Sequence, residues 1–336
     1  MRNAKARRET FRPVPRWQRE SHLLFAARVE ALTTMTIVSS IRRCQSRLGQ
    51  TGLPRAIVSL AVAFFAVACP SQASFDRASG RPSSVESNLL ADAADGRLDE
   101  HSLLEAVLIA GGLTSDVQLA KPRTQFEKLA AELAQELDAT FPAGERAEAI
   151  HAFLHRRALK EYRADASHVA ETLESGVYNC VSGSVLFVAL AERQGLSAHA
   201  VQLPEHVRCE VIADDLAKSV EMTSLSASLV RSSRQRPRVL SAVALLATIY
   251  YNRGVVAFDA GDLESAISLN TIAVELDPAC QPARENLLAA INNRVVELMK
   301  GHQAREALEL LEHGLSIAPD YRPLVANRAY LLKQGR

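Results

Sequence analysis

The chain is poor in several things that would have pointed to a function at once. Aromatic residues make up 5% of its 336 residues, and the single tryptophan, Trp17, lies in the extreme N-terminal stretch. Alanine and leucine take their place in the apolar pattern, which favours helix. Charge of either sign is not in excess: 39 Lys and Arg against 38 Asp and Glu leave a net +1. That excludes a global basic field and argues against nucleic acid as a partner. There is no CxxC pair, no Cys/His cluster with zinc spacing and no HExxH, so the sequence offers no metal site and implies no cofactor. No apolar run reaches the roughly 20 residues that a membrane-spanning helix needs.

The longest apolar run is AIVSLAVAFFAVAC, residues 56–69, preceded by Arg42, Arg43, Arg47 and Arg55 and followed by the small and polar CPSQAS. A basic flank, a short apolar core and a small-residue exit describe a secretory signal. Two processing readings stand open. Ser71-Gln72-Ala73 suits cleavage after Ala73, and Ala66-Val67-Ala68-Cys69 suits a lipobox that would make Cys69 a lipid anchor, the single route by which the chain would meet a membrane. Met35 would give a conventional signal length, so translation starts at Met1 or Met35. The expected location is exported: periplasm, cell envelope or medium. Cys44 and Cys69 fall in this segment. Cys180, Cys209 and Cys280 remain, too few and too widely spaced for a disulfide scaffold.

The rest divides by pattern. Residues 74–124 read as a polar linker (SFDRASGRPSSVES, 74–87) and a helical lead-in over 88–112 that ends at Gly111-Gly112. Residues 125–225 read as one α+β domain. Helices are expected over 125–138, 143–164 and 180–194, the last closed by Gly195. Short β-branched runs follow at 198–203, 206–212 and 218–223, with Asp214-Asp215 as a turn. Residues 226–242 read as a polar linker in which Arg231, Arg234, Arg236 and Arg238 are solvated.

Residues 243–336 read as all-α. Small residues fall at Gly254, Gly261, Ala266 and Ala273 before Pro278, and at Ala307 and Gly314 before Pro319. The spacings Ala266–Ala273–Pro278 and Ala307–Gly314–Pro319 are both seven then five. Small residues suit close helix crossings, and proline stops a helix. This pattern resembles the tetratricopeptide (TPR) repeat of about 34 residues. The 41 residues from Pro278 to Pro319 depart from that period and predict a lengthened helix after Pro278. About two and a half repeats would not stand alone, so the module is expected to pack on the domain before it. The resemblance implies a peptide or protein partner.

The chemistry-bearing stretch is 175–223. Cys180 opens a strongly apolar helix, where the dipole favours a thiolate. His206 opens a strand and can act as a base, and Glu221 on the next strand can fix its tautomer. Asp214 and Asp215 are alternative acids. Cys209 alternates with His206 and reads as core, His199 as exposed, and the i, i+4 pair His151 and His155 as a solvated helix face. Ser182-Gly183-Ser184 provides room for a close approach. Gly176-x-x-x-Cys180, the helix ending Arg193-Gln194-Gly195-Leu196, Pro204-x-His206 and the corner Glu221-Met222-Thr223 together resemble the transglutaminase-like superfamily of thiol enzymes. Val207-Arg208 stand where that family commonly carries an aromatic. The resemblance implies a helical and antiparallel-sheet fold with Cys180 as nucleophile, His206 as base and Glu221 as orienter. It implies a peptidase or amidase if water resolves the thioester, or an acyl transferase if an amine does. The alternative is a catalytically inactive protein-binding scaffold.

Overall fold

The structure, a computed structural model, describes residues 83–203, 206–213, 216–223 and 237–334. These fall within one unit spanning 78–336. The signal-like run 56–69, Cys69 and its lipid anchor, Met35, Pro204, Asp214, Asp215, Arg231, Arg234 and Arg236 lie outside the described residues. No helix among the described residues is long and apolar enough to cross a membrane.

The fold is α+β and mostly helical. Helices α1 (Ser84–Asp92), α2 (Leu103–Ala110), α3 (Asp116–Glu136) and α4 (Ala143–Arg157) lead in. Strand β1 (Glu161–Tyr162), helix α5 (Val169–Ser175), strand β2 (Val177–Tyr178) and helix α6 (Cys180–Arg193) follow. Then come β3 (Ala198–Leu203), β4 (His206–Ala213), β5 (Leu216–Val220) and β6 (Arg238–Leu240). The two short strands β1 and β2 pair in parallel. The other four form an antiparallel sheet in the order β5-β4-β3-β6.

Helix α6 is the centre. Every residue from Val181 to Ala191 is buried, including Ser182 and Ser184. A helix apolar on all sides has to be enclosed. The sheet covers one side with Ala200, Val207, Cys209, Val211 and Val220, and α4 contributes Ile150, Phe153 and Leu154 to the same core. Each such fully buried side chain contributes about 1.5–3 kcal/mol relative to leaving it exposed.

Several local expectations change. The lead-in over 88–112 is two helices, because Gly96 at φ 89° turns the chain and the Asp92 carboxylate gathers the N–H groups of Asp99, Glu100 and His101 at 2.9–3.0 Å. Helix α3 starts at Asp116, capped by Ser115, and runs through the buried Pro122. The helix expected over 143–164 stops at Arg157, because residues 161–162 are claimed as a strand by β2. Glu221 lies one residue past β5. The linker expected to reach residue 242 ends sooner: β6 is a strand of the sheet, and Ser241 caps the next helix. Arg238 is no solvated connector. It grips Asp277 at 2.6 and 2.9 Å and Gln202 at 2.9 and 3.1 Å, tying the sheet edge to a helix end.

Five helices complete the chain: α7 (Ala242–Asp259), α8 (Leu263–Leu276), α9 (Gln281–Lys300), α10 (Ala304–Ile317) and α11 (Arg322–Gln334). Their connections are short, and successive helices pack on each other as hairpins. A Cβ on Gly254 would fall 2.2 Å from Nδ2 of the buried Asn270, and one on Gly314 would fall 2.4 Å from Leu324 Cδ1. Close crossings therefore explain Gly254 and Gly314, whereas Gly261 has open space around it and serves the turn at φ 76°. Helix α9 spans 20 residues, in keeping with a lengthened helix after Pro278. Leu245, Leu246, Ile249 and Tyr250 of α7 belong to the same core as α6, so these helices are built onto the α+β part. Leu287, Leu288, Ile291, Val295, Leu311 and Leu324 form a second cluster further along.

Candidate active site

Cys180 is the first residue of α6, and its position is fixed by a reciprocal cap. Asn179 Oδ1 accepts from the N–H groups of Val181 and Ser182 at 2.9 and 3.0 Å, while Ser182 Oγ accepts from the Asn179 N–H at 3.0 Å. The same two side chains donate to the carbonyls of Ala164 and Ala166, which fastens the preceding loop to the helix start. The cap consumes two of the amides that could have held an oxyanion. Among the described residues, none takes the Cys180 N–H, which is left for that task.

His206 opens β4 and meets both partners assigned to it. Its Nε2 lies 2.7 Å from Glu221 Oε2, and Cys180 is the other side chain that acts on the ring. The imidazole thus stands between sulfur and carboxylate. The Cys180 hydrogen bond, followed by that of Glu221, outweighs burial and raises the His206 pKa to about 10. Burial pulls the Glu221 pKa upward, but hydrogen bonds from His206 and Thr223 overcome it, and the carboxyl titrates below its ordinary range. Thr223 supplies two of those bonds, from N–H at 3.0 Å and from Oγ1 at 2.7 Å, both to Oε1. One carboxylate oxygen is therefore held by the threonine and the other is offered to the imidazole. No family model matches this chain, and neither a curated protein nor a solved structure matches it.

Close packing brings the Glu221-Met222 corner to the start of α6. A Cβ on Gly183 would sit 3.2 Å from Met222 Cβ and 3.3 Å from Tyr178 Cδ2. The room left by Ser182-Gly183-Ser184 is used by the Glu221-Met222 corner itself. Cys209 is fully buried in the core with its thiol 3.7 Å from the Ser184 carbonyl, and burial pushes its pKa up to about 12.

The readings of three histidines are corrected. His151 and His155 are not a solvated face. His151 is 2% exposed and its Nε2 donates to the Glu221 carbonyl at 3.0 Å. The two rings stand 4.5 Å apart. The signal was present in the sequence: His151 shares a helical stripe with Ala147, Ile150 and Leu154. His199 lies inside β3, half-buried, 3.6 Å from Glu210. Arg208 is 5% exposed; Nη2 donates to Glu210 at 2.8 Å, and Nε and Nη1 find no partner among the described residues.

Sequence reasoning missed two tyrosines. Tyr178 precedes the Cys180 cap, and Tyr162 pairs with it across β1 and β2, ring to ring at 5.9 Å. Tyr162 is 48% exposed at the edge of the site. Burial, then the charges of Cys180 and Glu221, raise its pKa. Nothing in the spacing of a two-residue strand announces this. Among the described residues, no group of three or more His, Cys, Asp or Glu could hold a metal ion.

Proposed function

We propose that this protein is an exported thiol enzyme of transglutaminase-like type that forms a thioester on Cys180. The observation that carries the reading is the His206 ring held between the Cys180 side chain and the Glu221 carboxylate. In the first step, the Cys180 sulfur, its proton already held by the His206 imidazolium, attacks the carbonyl carbon of an amide or ester. With Nε2 committed to Glu221, Nδ1 is the nitrogen left for that proton. The Cys180 N–H donates to the oxyanion at the helix N-terminus. As the tetrahedral intermediate collapses, His206 returns the proton to the leaving amine or alcohol. Water or an amine then attacks the thioester, His206 takes its proton, and the sulfur departs to recover it. Water makes the protein a peptidase or amidase, and an amine makes it an acyl transferase. Export rests on the basic and apolar pattern of residues 42–73, either by cleavage after Ala73 or as a lipoprotein through Cys69. The hairpins over 242–334 fit a TPR-type module that presents a peptide or protein partner to the site, a reading supported by the close crossings at Gly254 and Gly314.

The test is acyl trapping. The full chain is mixed with p-nitrophenyl acetate and the adduct is mapped by peptide mass spectrometry. An acetyl group on Cys180, labile to hydroxylamine and absent in Cys180→Ser and His206→Ala, is the expected result. A folded wild type that carries no adduct at Cys180 would overturn the enzyme reading in favour of an inactive binding scaffold.

A further inference from the structure

The two halves of the site belong to different layers. Cys180 rides on β2 and α6, whereas His206 and Glu221 belong to the antiparallel sheet. Catalysis of the proposed kind needs their separation fixed to within about half an ångström. The sheet ladder does not do this alone, because the pairing of β4 with β5 ends at Cys209–Val220, one residue before the acid. Beyond it Glu221 and Met222 are buried, and among the described residues their carbonyls have no strand partner; a buried carbonyl needs a donor.

Helix α4 provides the donors and touches both layers. Near its start, Gly144 lies against Lys218 of β5, and Arg146 donates to the Gln194 carbonyl at the far end of α6. Two turns on, His151 Nε2 donates to the Glu221 carbonyl at 3.0 Å. One turn further, His155 stands 4.5 Å from His151 ring to ring, lies beside the Met222 main chain and meets the Tyr178 ring edge-on at 5.9 Å. Its Nε2 is buried without a partner among the described residues, so Nδ1 is the nitrogen that can reach Met222. Burial, then the neighbouring His151, lower the His155 pKa to about 4, so it is a neutral donor at physiological pH. A leucine at either position would fill the space and leave a buried carbonyl unsatisfied.

We propose that His151 and His155 are positioning residues: together they hold the Glu221-Met222 main chain from behind and register it against the Tyr178 strand, so that the carboxylate reaches His206 while Cys180 stays in place. The proposal rests on the thiol-enzyme reading and adds to it the pair that sets the site's dimensions. It also accounts for two histidines one helical turn apart on a core-facing stripe.

The test follows the His206 ring, which meets Cys180 from α6 and Glu221 from the end of β5, with the exposed Tyr162 of β1 acting on those same two groups. His206 is titrated by NMR in the full chain, and folding is checked by thermal unfolding. In His151→Leu and His155→Phe the His206 pKa should fall by about 1–3 units, the shift expected when an opposite charge moves away. His155→Phe keeps a ring against Tyr178, and His151→Gln keeps an N–H for the Glu221 carbonyl. His151→Gln should therefore restore most of the wild-type value. If His151→Leu does not fold, His155→Phe against His151→Gln carries the comparison. Folded variants whose His206 titrates as in the wild type would reduce the pair to packing and overturn the proposal while leaving the thiol-enzyme reading intact. A wild-type His206 that titrates near the ordinary 6.5 would overturn both.

Discussion

Replacing Glu221 by Gln separates charge from shape at the centre of the site. The amide keeps the volume of the carboxylate, and its oxygen can still accept from Thr223, whose bonds are 3.0 and 2.7 Å. What disappears is the negative charge 2.7 Å from His206 Nε2. A net hydrogen bond to a charged group contributes about 1.5–3 kcal/mol. The carboxylate is 9% and the imidazole 28% exposed, so solvent screens the pair in part and about 2 kcal/mol is expected. The sign with pH follows from the two shifts. His206 is raised to about 10, so its contribution is full below its unfolded value near 6.5 and is lost as pH rises through about 10. The Glu221 pKa is lowered, so its contribution is present above the ordinary carboxyl range and is lost in acid. The gap between wild type and variant should therefore be widest from about pH 5 to 6.5 and nearly closed at about pH 10. Urea unfolding of both proteins at pH 6 and pH 10 measures it. A variant as stable as the wild type at pH 6, or a deficit unchanged at pH 10, would refute the reasoning.

Two further outcomes concern the frame. Gly254→Ala places a Cβ about where Asn270 Nδ2 stands, and overpacking of this kind costs about 1–3 kcal/mol, offset in part by about 1 kcal/mol of helix propensity. Urea midpoints should show a net loss that Asn270→Ala partly relieves. Asp277→Ala leaves Arg238 without its bidentate partner at the sheet edge; a loss of about 1.5–3 kcal/mol should appear in urea unfolding, with amide exchange rising first at Arg238–Leu240.

Much of this was legible in the sequence because the signals were local. Asn179 before an apolar run and Gly195 after it mark α6 to within a residue, and the alternation of Val207, Cys209 and Val211 faces Cys209 to the core. The seven-then-five spacing of small residues before Pro278 and Pro319 anticipated the close crossings. What escaped depended on contacts distant in sequence. The strand over 161–162 exists because residues 177–178 pair with it. Arg238 was read from its polar neighbours, but its partner Asp277 lies 39 residues on. His151 was read by its type rather than by its stripe, and the donor it supplies answers a need created 70 residues later at the Glu221 carbonyl.

The rate of Cys180 alkylation by iodoacetamide tests directly whether His206 activates Cys180. Peptide mapping should find Cys180 labelled ahead of Cys209 and Cys280, which are 0% and 2% exposed, and distinguishes it from Cys44 and Cys69. At pH 7 the wild type should react about tenfold or more faster than His206→Ala, equivalent to at least about 1.4 kcal/mol, and the gap should close as pH rises through the ordinary thiol range near 8.5. Equal rates in the two folded proteins across that range would contradict the account.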